Sequence, residues 1–435
     1  YGETVDGVTA IPGPVKERLR HEEDVIVAKG YPGYFLAVND YIEWARSDRG
    51  VPTEQFPDGE PGKKAPIGVG AGRGSGAGSA ALYCLGVTNI EPMRNGLLFE
   101  RFLDPERTAF PDVDTDFESG RRDEVIRYAV ARYGKDRVAR IGTHGVAWAK
   151  NSVKSVARVL GMPQVGERAA AAVPGAGKAS DVSLAWLLDP ENSMGSTLRA
   201  LVAADSDVAD VVRIAERIEG VVSNVSTHAC GVVISDDPLL DLVPMRFETL
   251  DDGSPVWVTA WDKDAVEAFG LVKFDFLAIE DLDVVAAAVD SVVRRTGVRV
   301  DPSALKVDPD DPMVAAAFEL LASGRTAGVF QMASGGMTEL VRKVRPSSLA
   351  ELAAVVALYR PGPMGEGMHE RYPARKFGLE PVDYGIFTKD PEEQAVIAAV
   401  LGDTYGVIVY QEQLQRLARD VADVSPSVGN QLRKA

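Results

Sequence analysis

Residues 111–117 read Pro-Asp-Val-Asp-Thr-Asp-Phe, and this stretch decides how the rest of the chain is interpreted. Its three aspartates stand at every second position, so in a β-strand they would all point to one face. Apolar Val113 and Phe117 would occupy the other face, which predicts a half-buried strand. Carboxylates that project together from such a strand are costly unless a cation neutralises them, and hard divalent cations prefer oxygen ligands. The stretch therefore predicts a metal site, with a solvated acidic face as the alternative.

A glycine-rich segment precedes this strand. Residues 67–79 read Ile-Gly-Val-Gly-Ala-Gly-Arg-Gly-Ser-Gly-Ala-Gly-Ser, and a short helical pattern follows from Ala80. Alternating glycines leave backbone N–H groups accessible, and the N-terminus of the following helix would add its dipole. Arg73, Ser75 and Ser79 offer side-chain donors, so the segment predicts a binding site for an anion such as phosphate. It lacks the Gly-Lys-Ser/Thr ending of a Walker A loop. A flexible linker and a weak dinucleotide-binding pattern are the alternatives.

A second buried strand is predicted at residues 270–278, Gly-Leu-Val-Lys-Phe-Asp-Phe-Leu-Ala. Lys273 and Asp275 are two residues apart and share one face of this strand, while Phe274 and Phe276 share the other. The acid and the cation form either a simple ion pair or a metal ligand next to a phosphate contact. The residues alone leave both interpretations open.

Basic residues are concentrated after the aspartate strand, although the chain as a whole carries a formal net charge of −17. Residues 121–160 hold ten Lys or Arg against three Asp or Glu. Within a helix predicted from Gly142 to Leu160, a basic stripe at four-residue spacing faces either solvent or a phosphate backbone. The residues of this stripe are Lys150, Lys154 and Arg158.

The bulk properties set broad limits. A length of 435 residues allows two to four domains at roughly 100–200 residues each. Two cysteines without a spacing pattern favour neither a disulfide framework nor a zinc site, and no apolar run is long enough to predict a membrane span. We expect a reducing, cytoplasmic setting. Residues 50–66 predict an exposed loop, and residues 283–435 predict a mostly helical region.

Seven motifs in one order make the chain resemble the bacterial family C replicative DNA polymerases, the alpha subunits of DNA polymerase III, over nearly its whole length. The motifs are Gly-Tyr-Pro-Gly-Tyr-Phe-Leu at 30–36, Gly-Arg-Gly-Ser-Gly-Ala-Gly-Ser at 72–79, Leu-Leu-Phe-Glu-Arg-Phe-Leu-Asp-Pro-Glu-Arg at 97–107, Pro-Asp-Val-Asp-Thr-Asp-Phe at 111–117, Leu-Val-Lys-Phe-Asp-Phe-Leu at 271–277, Ala-Leu-Tyr-Arg-Pro-Gly-Pro at 357–363 and Tyr-Gly-Val-Ile-Val-Tyr-Gln-Glu-Gln at 405–413.

The resemblance implies an α+β fold: a nucleotidyltransferase palm like that of polymerase beta, with a helical thumb and helical fingers. It implies palm segments at 1–145 and 223–282, a thumb at 146–222, and incomplete fingers at 283–435. The implied function is template-directed DNA polymerisation. In that reaction, nucleotidyl transfer from a dNTP to a primer 3′-OH uses two Mg²⁺ ions, with Mn²⁺ as a substitute.

The resemblance also assigns roles to single residues. It makes Asp114, Asp116 and Asp275 the catalytic carboxylates and metal ligands, whereas the residues alone did not decide between Asp112–Asp114 and Asp114–Asp116. The residues implied to hold the triphosphate of the nucleotide are Arg73, Gly74, Ser75, Lys273 and, in the fingers, Arg360. Those implied to contact the DNA duplex are Lys150, Lys154 and Arg158.

The implied partners are primer–template DNA, dNTPs, a sliding clamp and other replicase subunits, and no membrane. The sequence departs from the family in an insertion at 51–66, in His144 where Phe is usual, and in Ala278 where Gly is usual. It also lacks the family's N-terminal phosphoesterase-like domain and its clamp-binding part. We therefore keep two alternative functions: a catalytically inactive or split DNA-binding subunit of a replisome, and a template-independent nucleotidyltransferase.

Overall fold

The computed structural model describes residues 3–424 except 6–7, 107–109, 175–181, 250–252, 254, 306 and 309. The chain forms two compact units, the first made of Tyr1–Lys135 and Val272–Ala435 and the second of Asp136–Leu271. Both units contain strands and helices, so the predicted mixed α and β content is confirmed. Among the described residues, none of the helices combines the length and the apolar character that crossing a membrane requires.

In chain order, the elements are β1 (Glu3–Val5), β2 (Val8–Ala10), α1 (Gly13–Ala28), α2 (Pro32–Arg46), α3 (Ala80–Cys84), β3 (Asp114–Glu118), α4 (Arg122–Tyr133), β4 (Val138–Val146), α5 (Ala149–Val159), α6 (Pro163–Ala171), α7 (Leu184–Leu188), α8 (Ser196–Ala204), α9 (Ser206–Ile218), β5 (Val222–Ile234), β6 (Met245–Thr249), β7 (Pro255–Thr259), α10 (Lys263–Phe269), β8 (Lys273–Ile279), α11 (Glu280–Thr296), α12 (Pro312–Ala322), α13 (Gly335–Val344), α14 (Leu349–Leu358), α15 (Pro361–Gly365), α16 (Met368–Lys376), α17 (Pro391–Leu401) and α18 (Gln411–Ala422).

The first unit is built on the parallel pair β3 and β8, in which Asp114 lies opposite Asp275. The apolar faces of both strands pack on α2, where Tyr41 lies against Phe117 and Phe276 at ring-centroid distances of 6.2 and 4.7 Å. All three of these rings are fully buried. Burial of aromatic surface on one face therefore fixes which side chains β3 and β8 present on the other face.

The glycine-rich segment begins along the edge of β3. Gly70 N–H donates a hydrogen bond to the carbonyl oxygen of Asp116 at 2.9 Å, and Glu118 N–H donates to that of Gly68 at 3.2 Å. A Cβ atom at Gly70 would lie 2.8 Å from the Cβ of Asp116. Glycine is therefore required here, because the two backbones approach too closely for any side chain.

The helices that follow β8 form two small cores of their own, so the prediction of a mostly helical region is confirmed for its described residues. The first core lies among α13, α14 and α16 and includes Leu340, Val341, Val355, Leu358 and Tyr372. The second joins α17 to α18 through Ile397, Val400 and Leu401, with Leu417 and Val421 packed against them. Residues 50–66 contain neither helix nor strand, as predicted.

In the second unit, the strands have the order β5-β4-β7-β6. Strand β4 is antiparallel to β5 and parallel to β7, while β7 is antiparallel to β6. Helices α5 to α9 enclose a separate apolar core. Its fully buried members include Val153, Leu184, Leu187, Leu198, Val208 and Val211.

Two details of the sequence interpretation are wrong. Strand β3 begins at Asp114, so exposed Asp112 precedes it and only two of the three aspartates lie on the strand. Gly142 does not open a helix, because it lies within β4 and the helix begins at Ala149. A Cβ atom at Gly142 would collide with the carbonyl oxygen of Thr259, so the glycine permits close strand packing rather than a helix start.

Helix α5 offers a matched test of the core of the second unit. Val153 is fully buried, whereas Val159 on the same helix is 86% exposed. We expect Val153→Ala to lower the free energy of unfolding by about 2 kcal/mol, because it removes buried methyl groups and leaves a cavity. Val159→Ala should change it by less than about 0.5 kcal/mol. Urea denaturation of both variants measures this, and equal effects would contradict the core assignment.

Candidate active site

The three aspartates implied as catalytic are brought together by β3 and β8. Asp114 and Asp275 are direct partners across the parallel pair, and Asp116 lies two residues further along β3 on the same face. Asp275 is buried, whereas Asp114 and Asp116 are half-buried. Thr115, on the opposite face of β3, donates its hydroxyl to the carbonyl oxygen of Asp275 at 2.6 Å. The strand register thus sets the separation of the carboxylates.

Lys273 supplies a positive charge within this cluster. Its Nζ donates a hydrogen bond to Asp275 and lies 3.3 Å from Oδ1 of Asp112. Burial disfavours the charged ammonium, but the hydrogen bonds and charges of Asp275 and Asp112 outweigh this effect. The pKa of Lys273 is therefore raised, and the side chain is a permanent cation at neutral pH.

Burial raises the pKa of two of the carboxyls, those of Asp114 and Asp116. The pKa of Asp114 is raised by burial first and then by the negative charges of Asp112 and Asp275, against the opposing effect of Arg73 and Lys273. Burial also raises the pKa of Asp116, although the charge of Arg73 and its hydrogen bond oppose the shift. Both carboxyls therefore carry an ionisation penalty that an added cation would relieve.

The glycine-rich segment passes close to these carboxylates. Nη1 of Arg73 lies 3.4 Å from Oδ1 of Asp116. Gly74 adopts a left-handed φ of 62°, and a Cβ atom there would lie 3.0 Å from Oδ2 of Asp114. Ser75 follows, half-buried, in the 3₁₀ turn Gly74–Gly78. Arg73 and Gly74 thus lie next to the aspartates, and Ser75 is their chain neighbour.

The N-terminus of α3, which we expect to contribute to an anion site, is already bound by a carboxylate of the chain itself. The backbone N–H groups of Ala80 and Ala81 donate to the carboxylate of Glu22, each at 2.9 Å, and the Ser79 hydroxyl donates to it at 2.7 Å. Ser79 is completely buried, so its hydroxyl faces this internal carboxylate and not a ligand. Helix α3 also has only five residues.

Sequence reasoning missed the role of Glu22. Glu22 is completely buried on α1, on the same face as buried Val15, Val25 and Ile26. The signal in the sequence is that Glu22 occupies a position of α1 where the helical period places apolar residues. A carboxylate at such a position indicates a hydrogen-bonding partner inside the protein.

The basic stripe of α5 forms as predicted, in the second unit. Lys150 and Arg158 are exposed, while Nζ of Lys154 lies 2.8 Å from Oε2 of Glu167. The opposite face of the helix carries buried Val153 and Val156. Two of the three basic side chains therefore face solvent, and Lys154 has a carboxylate partner.

Three further arginines were candidates for phosphate contacts. Arg360 is exposed just before α15, and no hydrogen bond or ion pair joins its side chain to Asp114, Asp116 or Asp275. Arg101 pairs with Glu412 of α18. Arg107, of the motif at 97–107, lies outside the described residues.

Two family models match the chain in succession. The sequence model of the bacterial DNA polymerase III alpha NTPase domain matches residues 6–278, and that of the finger domain of the same subunit matches residues 281–435. The chain belongs to the bacterial DNA polymerase III alpha family. The resemblance drawn from the seven motifs is therefore confirmed. Asp114, Asp116 and Asp275 all fall within the first match.

Several curated relatives are named DNA polymerase III subunit alpha. That of Mycobacterium tuberculosis is 40% identical over 430 residues, which are 98% of this chain and 34% of the relative. That of Thermus aquaticus is 43% identical over 423 residues, 97% of this chain and 32% of the relative. That of Caulobacter vibrioides is 40% identical over 435 residues, 99% of this chain and 34% of the relative. The chain thus spans about a third of the length of these relatives.

The repulsion between the carboxylates is testable by thermal unfolding. We expect Asp114→Asn to raise the Tm of the metal-free chain at neutral pH, because it removes an ionisation penalty from the folded state. Since the folded-state pKa of Asp114 lies above its ordinary value of 3.8, this gain should shrink as the pH falls through the raised pKa. Added Mg²⁺ should stabilise the unsubstituted chain more than the variant.

Differential scanning calorimetry in EDTA and in Mg²⁺ measures both effects. Asp24→Asn is the control, because Asp24 is exposed on α1. It should behave like the unsubstituted chain under both conditions. A lower Tm for Asp114→Asn in EDTA would contradict the electrostatic account.

Proposed function

We propose that this chain carries the nucleotidyl-transfer site of a template-directed replicative DNA polymerase. The site would join a dNTP to a primer 3′-OH and release pyrophosphate. The observation that supports this most is the register of β3 and β8, which sets Asp114 opposite Asp275 with Asp116 on the same face. Arg73 and Lys273 flank these carboxylates, as phosphoryl transfer requires. Membership of the DNA polymerase III alpha family supports the same reaction.

The carboxylates fit divalent cations. Three aspartate side chains provide oxygen ligands, and burial raises the pKa of Asp114 and of Asp116, a penalty that a bound cation would relieve. We assign Asp114, Asp116 and Asp275 as ligands of two Mg²⁺ ions, for which Mn²⁺ can substitute. Such ions activate the attacking hydroxyl and neutralise the triphosphate and the leaving oxygen.

The remaining groups of the site hold the nucleotide. Arg73 and Lys273 place permanent positive charges beside Asp116 and Asp275, where they attract and orient a triphosphate. Gly74 lacks a side chain, so its backbone N–H is open to close approach by a phosphate oxygen. The hydroxyl of Ser75 adds a donor. Arg360 would add a second guanidinium from the fingers.

These assignments belong to a larger proposed architecture. We place a palm like that of polymerase beta at 1–145 and 223–282, a thumb at 146–222 and fingers at 283–435. The separate core of α5 to α9 supports the thumb, and the exposed Lys150 and Arg158 suit contact with a duplex backbone, together with Lys154. The proposed partners are primer–template DNA, dNTPs, a sliding clamp and other replicase subunits, in a cytoplasmic setting.

Single-nucleotide incorporation on a primer–template tests the function. With Mg²⁺, we expect the chain to add the template-matched dNTP, and Asp116→Asn to reduce the rate roughly 10²–10⁴-fold, because a metal ligand is lost. The variant should retain primer–template binding and a folded circular dichroism spectrum. Asp24→Asn, on exposed α1, should leave the rate unchanged.

The same assay separates the alternatives. Incorporation that ignores the template base would indicate a template-independent nucleotidyltransferase. Primer–template binding by the unsubstituted chain without incorporation would favour a DNA-binding subunit whose catalytic part is inactive or split. Undiminished incorporation by Asp116→Asn would refute the assignment of the aspartates.

A further inference from the structure

The fully buried carboxylate of Glu22 pairs with the partly buried Arg18 beside the glycine-rich segment. The carboxylate of Glu22 accepts hydrogen bonds from Nε of Arg18 at 2.7 Å, from the hydroxyl of Ser79 at 2.7 Å, and from the N–H groups of Ala80 and Ala81 at 2.9 Å each. These four donors match the capacity of a carboxylate. Such a charge is costly to bury, and a well-packed apolar pair would be at least as stable, so stability alone is a weak reason for it.

Arg18, the ion-pair partner of Glu22, also binds the backbone of the glycine-rich segment at Gly78. Nη2 of Arg18 donates to the carbonyl oxygen of Gly78 at 2.8 Å and to that of Leu97 at 3.3 Å. A Cβ atom at Gly78 would lie 2.7 Å from the carbonyl oxygen of Leu98, so the segment is also pressed against residues 97–98. One turn of α1 therefore holds consecutive peptide groups from residue 78 to residue 81.

The other end of the segment is fixed separately. Ala71 accepts hydrogen bonds at its carbonyl oxygen from the hydroxyl of Thr88 at 3.0 Å and from the N–H of Asn89 at 2.7 Å. Residues 73–77 span the distance between these two attachments. They include Arg73 and Gly74, which adjoin Asp116 and Asp114.

We propose that Arg18 and Glu22 are positioning residues for nucleotide binding. By holding residues 78–81, they keep Arg73 and Gly74 at the distance from the aspartates that a metal-bound triphosphate needs. Glu22 fills the N-terminus of α3 with an internal anion, so the triphosphate is directed to residues 73–75. The inference rests on the proposed function, because it concerns the same site.

The test measures dNTP binding and single-nucleotide incorporation with the full chain and Mg²⁺. Glu22→Gln keeps the volume of the side chain but turns an amide donor toward groups that are themselves donors. We expect the Kd and the KM for dNTP to rise about 10-fold, with kcat changed less than about threefold. Glu23→Gln, the same change at an exposed neighbour, should alter neither constant.

Two further variants separate positioning from stability. Ser79→Ala removes a single donor to Glu22 and should raise KM in the same direction, so it serves as the test if Glu22→Gln does not fold. When Glu22→Gln and Ser79→Ala are combined, their effects on KM should be less than additive, because both substitutions act on the same hydrogen bond. Val25→Ala, in the buried face of α1, should lower the Tm without raising KM.

Each outcome decides the matter. An unchanged Kd in both Glu22→Gln and Ser79→Ala would overturn the inference while leaving the proposed function standing. If Val25→Ala raises KM as much as Glu22→Gln does, Arg18 and Glu22 contribute to stability only and do not position the nucleotide site. Failure of the unsubstituted chain to bind dNTP would overturn the proposed function, and this inference with it.

Discussion

The first unit depends on a pairing that electrostatics opposes. Parallel alignment of β3 with β8 sets the carboxylates of Asp114 and Asp275 on adjacent strands at the same level. Like charges at paired positions destabilise a sheet, so the register must be held by something stronger. Aromatic packing on the opposite face of the two strands holds the register, because Phe117 and Phe276 are fully buried against Tyr41 of α2. A shift by one residue would bury the aspartates and expose the rings.

The same constraint explains the composition around the aspartates. Lys273 and Arg73 each reduce the repulsion from one side, yet the pKa of Asp114 and of Asp116 stays raised. The adjacent backbone also lies close to the aspartates, and Gly70 and Gly74 permit this, because a Cβ atom at either position would lie within about 3 Å of an aspartate side chain. Carboxyls with raised pKa values beside closely approaching backbone are typical of functional sites in proteins.

Much of this was predictable from sequence because it depends on local periodicity. Alternation of charged and apolar residues gave the faces of β3 and β8, and four-residue spacing gave the basic stripe of α5. What failed depends on partners distant in sequence. Gly142 looked like a helix start, since nothing local reveals that Thr259 packs against it. The start of β3 at Asp114 likewise follows from pairing with β8, which no local pattern contains.

The contacts of Glu22 also could not be predicted from local sequence, because its partners at the start of α3 are distant in the chain. A glycine-rich loop before a helix predicts an external anion, because unpaired N–H groups favour negative charge. In this chain the anion is a side chain brought from 58 residues away, and it occupies those N–H groups permanently. Under the proposed function, a segment that is already held in this way would lose less conformational entropy when it binds a nucleotide. Under the proposed function, the nucleotide would therefore meet the other end of the segment, where Arg73 and Gly74 lie next to the aspartates.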